Sequence, residues 1–193
     1  MSHLNSRVAR IVAGLAVASA FAVVPMAAQA ADTNATGTLT GGSLTNTAPA
    51  ITPFSATLSG LAQTKNTPVG TWGVTDATGS DDGYSVTVSA TAPTVDDVVI
   101  AGSTLKLYTT SAQAVGGNAN TAPTARPAQQ LDVDGTPTAS TIQNAPAGAG
   151  QGPWSFAAAA GTAGTGLEVV IPGTATPGAY ASTLTYTTAA PVA

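Results

Sequence analysis

From Tyr84 to Ser89 apolar and small polar residues alternate one for one, with Tyr84, Val86 and Val88 in one set and Ser85, Thr87 and Ser89 in the other. A period of two belongs to a β-strand, whose successive side chains point to opposite faces. The run therefore predicts a strand over 84–90 with Tyr84, Val86 and Val88 turned inward. The pattern recurs. Leu167, Val169 and Ile171 share a face opposite Glu168. Tyr180, Ser182, Leu184 and Tyr186 share another, and Trp72, Val74 and Asp76 a third, opposite Gly73 and Thr75. No stretch after residue 30 has helical periodicity, and Thr, Val, Gly and Pro favour strands and turns. Strands are predicted over 36–40, 51–61, 71–75, 84–90, 97–109, 129–133, 153–158, 166–171 and 180–187. Many short strands with turns between them predict an all-β fold: an antiparallel β-sandwich, Ig-like or related, with long Ala/Gly/Pro-rich loops.

The punctuation supports that reading. Between residues 172 and 179 two Pro-Gly pairs mark a loop. The polar stretch from Asp76 to Gly83 reads as a connection between two adjacent strands. From Ser111 to Gly166 large side chains thin out, which predicts long loops. A short helix over 156–160 is the alternative there, curtailed by Gly161 and Gly164.

The first thirty residues read differently. Arg7 and Arg10 precede an apolar run from Ile11 to Val24, followed by Pro25 and an Ala28-Gln29-Ala30 cleavage signal. That order predicts a secretory signal peptide over 1–30 and a single domain over 31–193. The apolar run is shorter than the roughly 20 residues a membrane-spanning helix needs. The expected mature chain has no transmembrane segment and is secreted or held at the cell surface. It retains Lys65, Lys106 and Arg126 against nine acids, a net charge of −6. Such a chain does not neutralise a phosphate backbone, so nucleic acid is excluded as a partner. It has no Cys, so the fold must stand on packing without disulfides.

The leader also holds the only His, His3. Without His or Cys the mature chain lacks the usual bases and nucleophiles, and no enzyme activity is expected. Asp76, Asp81, Asp82, Asp96 and Asp97 could supply a carboxylate pair, but their spacing singles out no dyad. Zinc ligation is excluded on the same residue types. Asp132 and Asp134 open like a calcium loop, yet the later Gly and the closing Glu are missing. The acids read as turn residues, and neither a metal nor a cofactor is expected. Aromatics can stack on sugar rings, and Trp72, Tyr84, Trp154, Tyr180 and Tyr186 are available. A large aromatic on the apolar face of a strand is more often core, so Tyr84 and Tyr180 are expected inside. Trp72 and Trp154 are left open between core and binding.

Three pieces together resemble the WxL domain of Gram-positive surface proteins. The first is Trp72-Gly73-Val74-Thr75-Asp76 followed by Gly83-Tyr84-Ser85-Val86-Thr87-Val88-Ser89. The family has a short β-segment ending in Asp, a polar turn, then G-W-x-L-T-V-S. The second is Gly148-Ala149-Gly150 with Trp154 shortly after. The third is Leu167–Pro172, then Gly178–Tyr186, then Pro191, where the family closes with Y-x-x-x-L-x-W. The resemblance spans roughly 36–191. Tyr84 stands for the first signature Trp, Val86 for its Leu and Tyr186 for the second Trp, so aromatic packing survives the changes while an indole does not. The resemblance implies non-covalent attachment to the cell wall, with peptidoglycan or another wall polymer as ligand and other surface proteins as further partners. The binding positions it implies are Trp72, Asp76, Tyr84, Val86, Trp154, Tyr180 and Tyr186. No C-terminal sorting motif or hydrophobic tail follows, which fits non-covalent retention.

Overall fold

The computed structural model describes residues 36–133 and 136–190. The leader over 1–30, Asp134 and Pro191 lie outside the described residues. Fifteen strands follow along the described chain: β1 (Leu44–Thr47), β2 (Gln63–Thr67), β3 (Trp72–Asp76), β4 (Tyr84–Ala90), β5 (Thr94–Val95), β6 (Val98–Val99), β7 (Thr104–Tyr108), β8 (Ala112–Ala114), β9 (Thr124–Ala125), β10 (Ala128–Val133), β11 (Thr136–Pro137), β12 (Ser140–Ala145), β13 (Gly152–Phe156), β14 (Leu167–Ile171) and β15 (Leu184–Ala189). The fold is all-β, an antiparallel β-sandwich assembled from three larger sheets and a small hairpin. Their orders are β1-β3-β13-β8, β11-β10-β7-β14-β2 and β15-β4-β12-β9, with β5-β6 the hairpin.

Alternation sets the faces. β4 runs with Tyr84, Val86, Val88 and Ala90 buried and the residues between them half-buried. β3 buries Trp72, Val74 and Asp76, and β14 buries Leu167, Val169 and Ile171. These inner faces meet in one core with Leu105, Leu107, Leu131, Ile142 and Phe156. Each large side chain buried there contributes about 1.5–3 kcal/mol of transfer free energy. Core alanines such as Ala90, Ala145 and Ala149 add far less area, so the few large residues carry most of the stabilisation.

The structure corrects several expectations. β3 pairs with β1 and β13, whereas β4 pairs with β15 and β12. Residues 77–83 therefore cross from one sheet to another rather than joining adjacent strands. Alternation reveals which face a residue takes and is silent on which strand lies beside it. The segments 36–40 and 52–61 form no strand. Pro53 lacks the N–H a ladder needs, which breaks the second of them. The span 97–109 is divided into β6 and β7 by a turn at Ala101-Gly102. In the last predicted strand, Ala181 makes only a single bridge to Thr94, and β15 proper begins at Leu184. No helix occurs at 156–160, where Ala159 bridges Val69 instead.

The thinly populated region 111–166 holds six strands, β8 to β13, where strands are expected only over 129–133 and 153–158; β12 is the longest of those the pattern misses. In β12 the register with β4 shifts between Thr141 and Gln143, and Ile142 and Gln143 are both buried. Such a bulge breaks the period of two. β10 has the same irregularity against β7, between Gln130 and Asp132, with Leu131 and Asp132 both buried.

Candidate functional site

The first two resemblance pieces meet at one end of the domain. β3 ends at Asp76 and delivers the 77–83 crossing; β4 begins at Tyr84; the 146–151 turn arrives from β12. Asp76 is buried, and its Oδ1 accepts from the Thr78 N–H at 3.0 Å and the Thr78 hydroxyl at 2.6 Å. This pins the start of the crossing. Gly83, at φ 78°, lies so close to the Ala145 and Pro146 carbonyls that any side chain would collide with them. The Asp81 carbonyl then accepts from the Gly148 N–H at 3.0 Å. Gly150, at φ 81°, lies flat on Tyr84: a Cβ there would fall 2.6 Å from a ring carbon. Gly83 and Gly150 are thus the two points where the loops close over the tyrosine.

Above that contact sits a polar hub at Gln151. Its side-chain amide donates to the Asp81 carboxylate at 2.7 Å and to the Ser80 carbonyl at 3.3 Å. Its own carbonyl accepts from Asn118 at 2.9 Å, Asn120 at 3.1 Å and the Trp154 indole at 3.2 Å. Asp81, Asp82 and Asn120 are exposed around it. Amides and carboxylates in this arrangement can exchange hydrogen bonds with hydroxyl and amide groups of a polar polymer. Among the described residues no cluster of three His, Cys, Asp or Glu side chains is placed to hold a metal ion.

The seven positions implied by resemblance separate into two groups. Trp72, Asp76, Tyr84, Val86 and Trp154 are buried, with Trp72 at 7% and Tyr84 at 1% exposure. Trp72 stacks on Phe156 with ring centroids 3.9 Å apart and meets Tyr186 at 5.6 Å. Its faces are occupied by protein. Tyr180 and Tyr186 are half-buried and line an open cleft of about 980 Å³ between the 48–58 and 175–182 loops. The Tyr180 hydroxyl is tied to Thr176 at 2.8 Å. Gln151, Asn118 and Asn120 were not singled out in the sequence. Their one sequence cue is that Gln151 lies between Gly150 and Gly152.

Burial raises the Tyr84 hydroxyl well above the ordinary tyrosine value of 10.0, and the Asp76 carboxylate pushes the same way. Burial alone raises Tyr186. Among the described residues neither hydroxyl has a hydrogen-bond partner. Below about pH 10 both are neutral folded or unfolded, and the stabilisation is fully present. As pH rises through 10 toward the folded values, only the unfolded chain ionises, so stability is lost. The urea midpoint is expected to fall progressively above about pH 10, and a Tyr84→Phe, Tyr186→Phe double variant is expected to show a shallower fall in the same titration.

A family model for the WxL domain, described as surface cell wall-binding, matches residues 46–191. The chain belongs to the WxL family. No curated protein and no solved structure matches it. The matched span runs from the middle of β1 past β15 and takes in the whole described core. In this WxL domain Tyr84 on β4 is an interior residue, and the loops that close over it carry the polar hub. The family description is that of a surface cell wall-binding domain and indicates no catalytic family. Among the described residues no helix is long and apolar enough to cross a membrane.

Proposed function

We propose that this WxL domain is exported and held non-covalently on the cell wall, with peptidoglycan as its ligand and the Gln151 end as the contact surface. The family match carries the reading. Placement at that end is supported by the meeting of two resemblance pieces, 76–84 and 148–154, beneath an exposed set of amides and carboxylates. On this reading Trp72, Tyr84, Val86 and Trp154 serve binding by holding the loops in place, and Asp76 by anchoring the crossing. Hydrogen bonds contribute about 0.5–1.5 kcal/mol each. Removing the Gln151 and Asn120 side chains together is therefore expected to weaken attachment about tenfold.

Co-sedimentation with purified peptidoglycan sacculi tests this. The wild-type chain is expected in the pellet, and a Gln151→Ala, Asn120→Ala variant with an unchanged circular dichroism spectrum largely in the supernatant. Wild-type protein that stays in the supernatant contradicts wall binding. A double variant that pellets like wild type places the contact elsewhere. A second reading, assembly with other surface proteins, is favoured by the cleft at the other end of β1.

A further inference from the structure

The Gln151 hub uses its donors on its own loops. Both N–H groups of the Gln151 amide are taken, by the Asp81 carboxylate at 2.7 Å and the Ser80 carbonyl at 3.3 Å. Both of Asn118 are taken, by the Gln151 carbonyl at 2.9 Å and the Pro153 carbonyl at 3.2 Å. Asn120 gives one N–H to the Gln151 carbonyl at 3.1 Å, and the Trp154 indole gives its single N–H there at 3.2 Å. Each of these partners is a carbonyl or a carboxylate, which accepts and cannot donate. Every amide is therefore fixed with its nitrogen toward the loops.

What remains facing outward accepts. An amide has two N–H groups and one oxygen, and an ionised carboxylate has oxygens alone. With its N–H groups engaged, the Gln151 side chain has only Oε1 left to offer. Asp81 holds Gln151 through Oδ1, which leaves Oδ2, and Asp82 makes no side-chain hydrogen bond among the described residues. Of the amides only Asn120 keeps an N–H. Asp81 and Asp82 are both exposed, and among the described residues neither pairs with Lys65, Lys106 or Arg126.

A surface of acceptors with two unneutralised negative charges is complemented by a donor that carries positive charge. The groups of peptidoglycan sort accordingly. Its sugars offer uncharged hydroxyl and amide groups. Its stem peptides offer carboxylates, which this surface repels. Where a stem is not cross-linked it also offers a primary ammonium, which has three N–H donors and no acceptor. Phosphate polymers of a wall share the sign of the mature chain, whose expected net charge is −6.

We propose that the Gln151 end takes the free ammonium groups of peptide stems, with Asp81 and the Gln151 side-chain oxygen as acceptors and Asp82 adding to the field. It turns away the carboxylates and phosphates of the same wall. The proposal rests on the wall-binding reading above and names the group that the surface selects.

Sacculi stripped of phosphate polymers test it in three forms: untreated, N-acetylated, and reductively methylated. Acetylation removes the positive charge, whereas methylation keeps it. The wild-type chain is expected to bind acetylated sacculi about fivefold more weakly than untreated ones, and methylated sacculi nearly as well as untreated. Added salt is expected to weaken binding to the untreated form more than to the acetylated form. An Asp81→Asn, Asp82→Ser variant keeps an oxygen for Gln151 and changes only exposed side chains, so its thermal midpoint is expected to stay at the wild-type value. It is expected to bind untreated sacculi about fivefold more weakly than wild type and to be indifferent to acetylation. Wild-type pelleting that acetylation leaves unchanged overturns the proposal while wall binding stands, as does a variant that responds to acetylation like wild type. A wild-type chain that stays in the supernatant with every form contradicts wall binding itself, and the proposal falls with it.

Discussion

Trp72→Ala is expected to cost the domain about 3–5 kcal/mol. The indole is 7% exposed and stacked on Phe156 at 3.9 Å, with Tyr186 tilted against it at 5.6 Å. Truncation removes the buried area of the ring, leaves a cavity between β3, β13 and β15, and breaks two aromatic contacts of about 0.5–1.5 kcal/mol each. Domains of this kind have about 5–15 kcal/mol to lose. The variant is therefore expected to be marginally folded, with a urea midpoint far below wild type and tertiary near-ultraviolet signal lost early. Trp72→Phe keeps an aromatic ring against Phe156 and is expected to cost about 1–2 kcal/mol. A wild-type midpoint for Trp72→Ala would mean that the indole is not part of the core.

Tyr84→Ala is expected to match it, at about 3–5 kcal/mol. Tyr84 opens β4, is 1% exposed, and lies under Gly150 and beside Ala145. Its loss opens the core directly beneath the 146–151 turn, so the Gln151 hub is expected to loosen along with the fold. Tyr84→Phe is the informative contrast. The hydroxyl is buried without a partner among the described residues, and a buried polar group in that state costs about 1–3 kcal/mol. Phenylalanine is expected to leave stability unchanged or raise it. Denaturant titrations of the two variants side by side separate the ring from its hydroxyl. Equal destabilisation by both would show that the hydroxyl makes a stabilising bond.

Where the residues alternate, the strand could be read directly. Tyr84–Ala90 and Leu167–Ile171 fold as their pattern demands, because one buried face imposes a period of two. β12 was hidden because its bulge buries Ile142 and Gln143 side by side and erases that period. β1 and β2 were hidden because LTNT and QTKNT are polar edge segments held more by their ladders than by burial. Sheet membership was out of reach for β3 and β4, since pairing depends on contacts distant in sequence. At the candidate site the glycines and aromatics are visible as residues, and Trp72, Tyr84 and Trp154 are buried in the structure. The polar hub is not legible in the sequence, because Gln151, Asn118 and Asn120 acquire meaning only when three loops meet. Nor is the cleft, as its walls are the Pro-rich segments that carry no periodic signal.

On the proposed wall-binding reading, Trp72 and the other buried aromatics support attachment from inside the fold, without touching the ligand. Sacculus sedimentation of Trp72→Phe, at a temperature where circular dichroism shows it fully folded, tests this most directly. The expected result is a bound fraction equal to that of the wild-type chain. Loss of binding by the folded variant would contradict it and make the indole itself the contact.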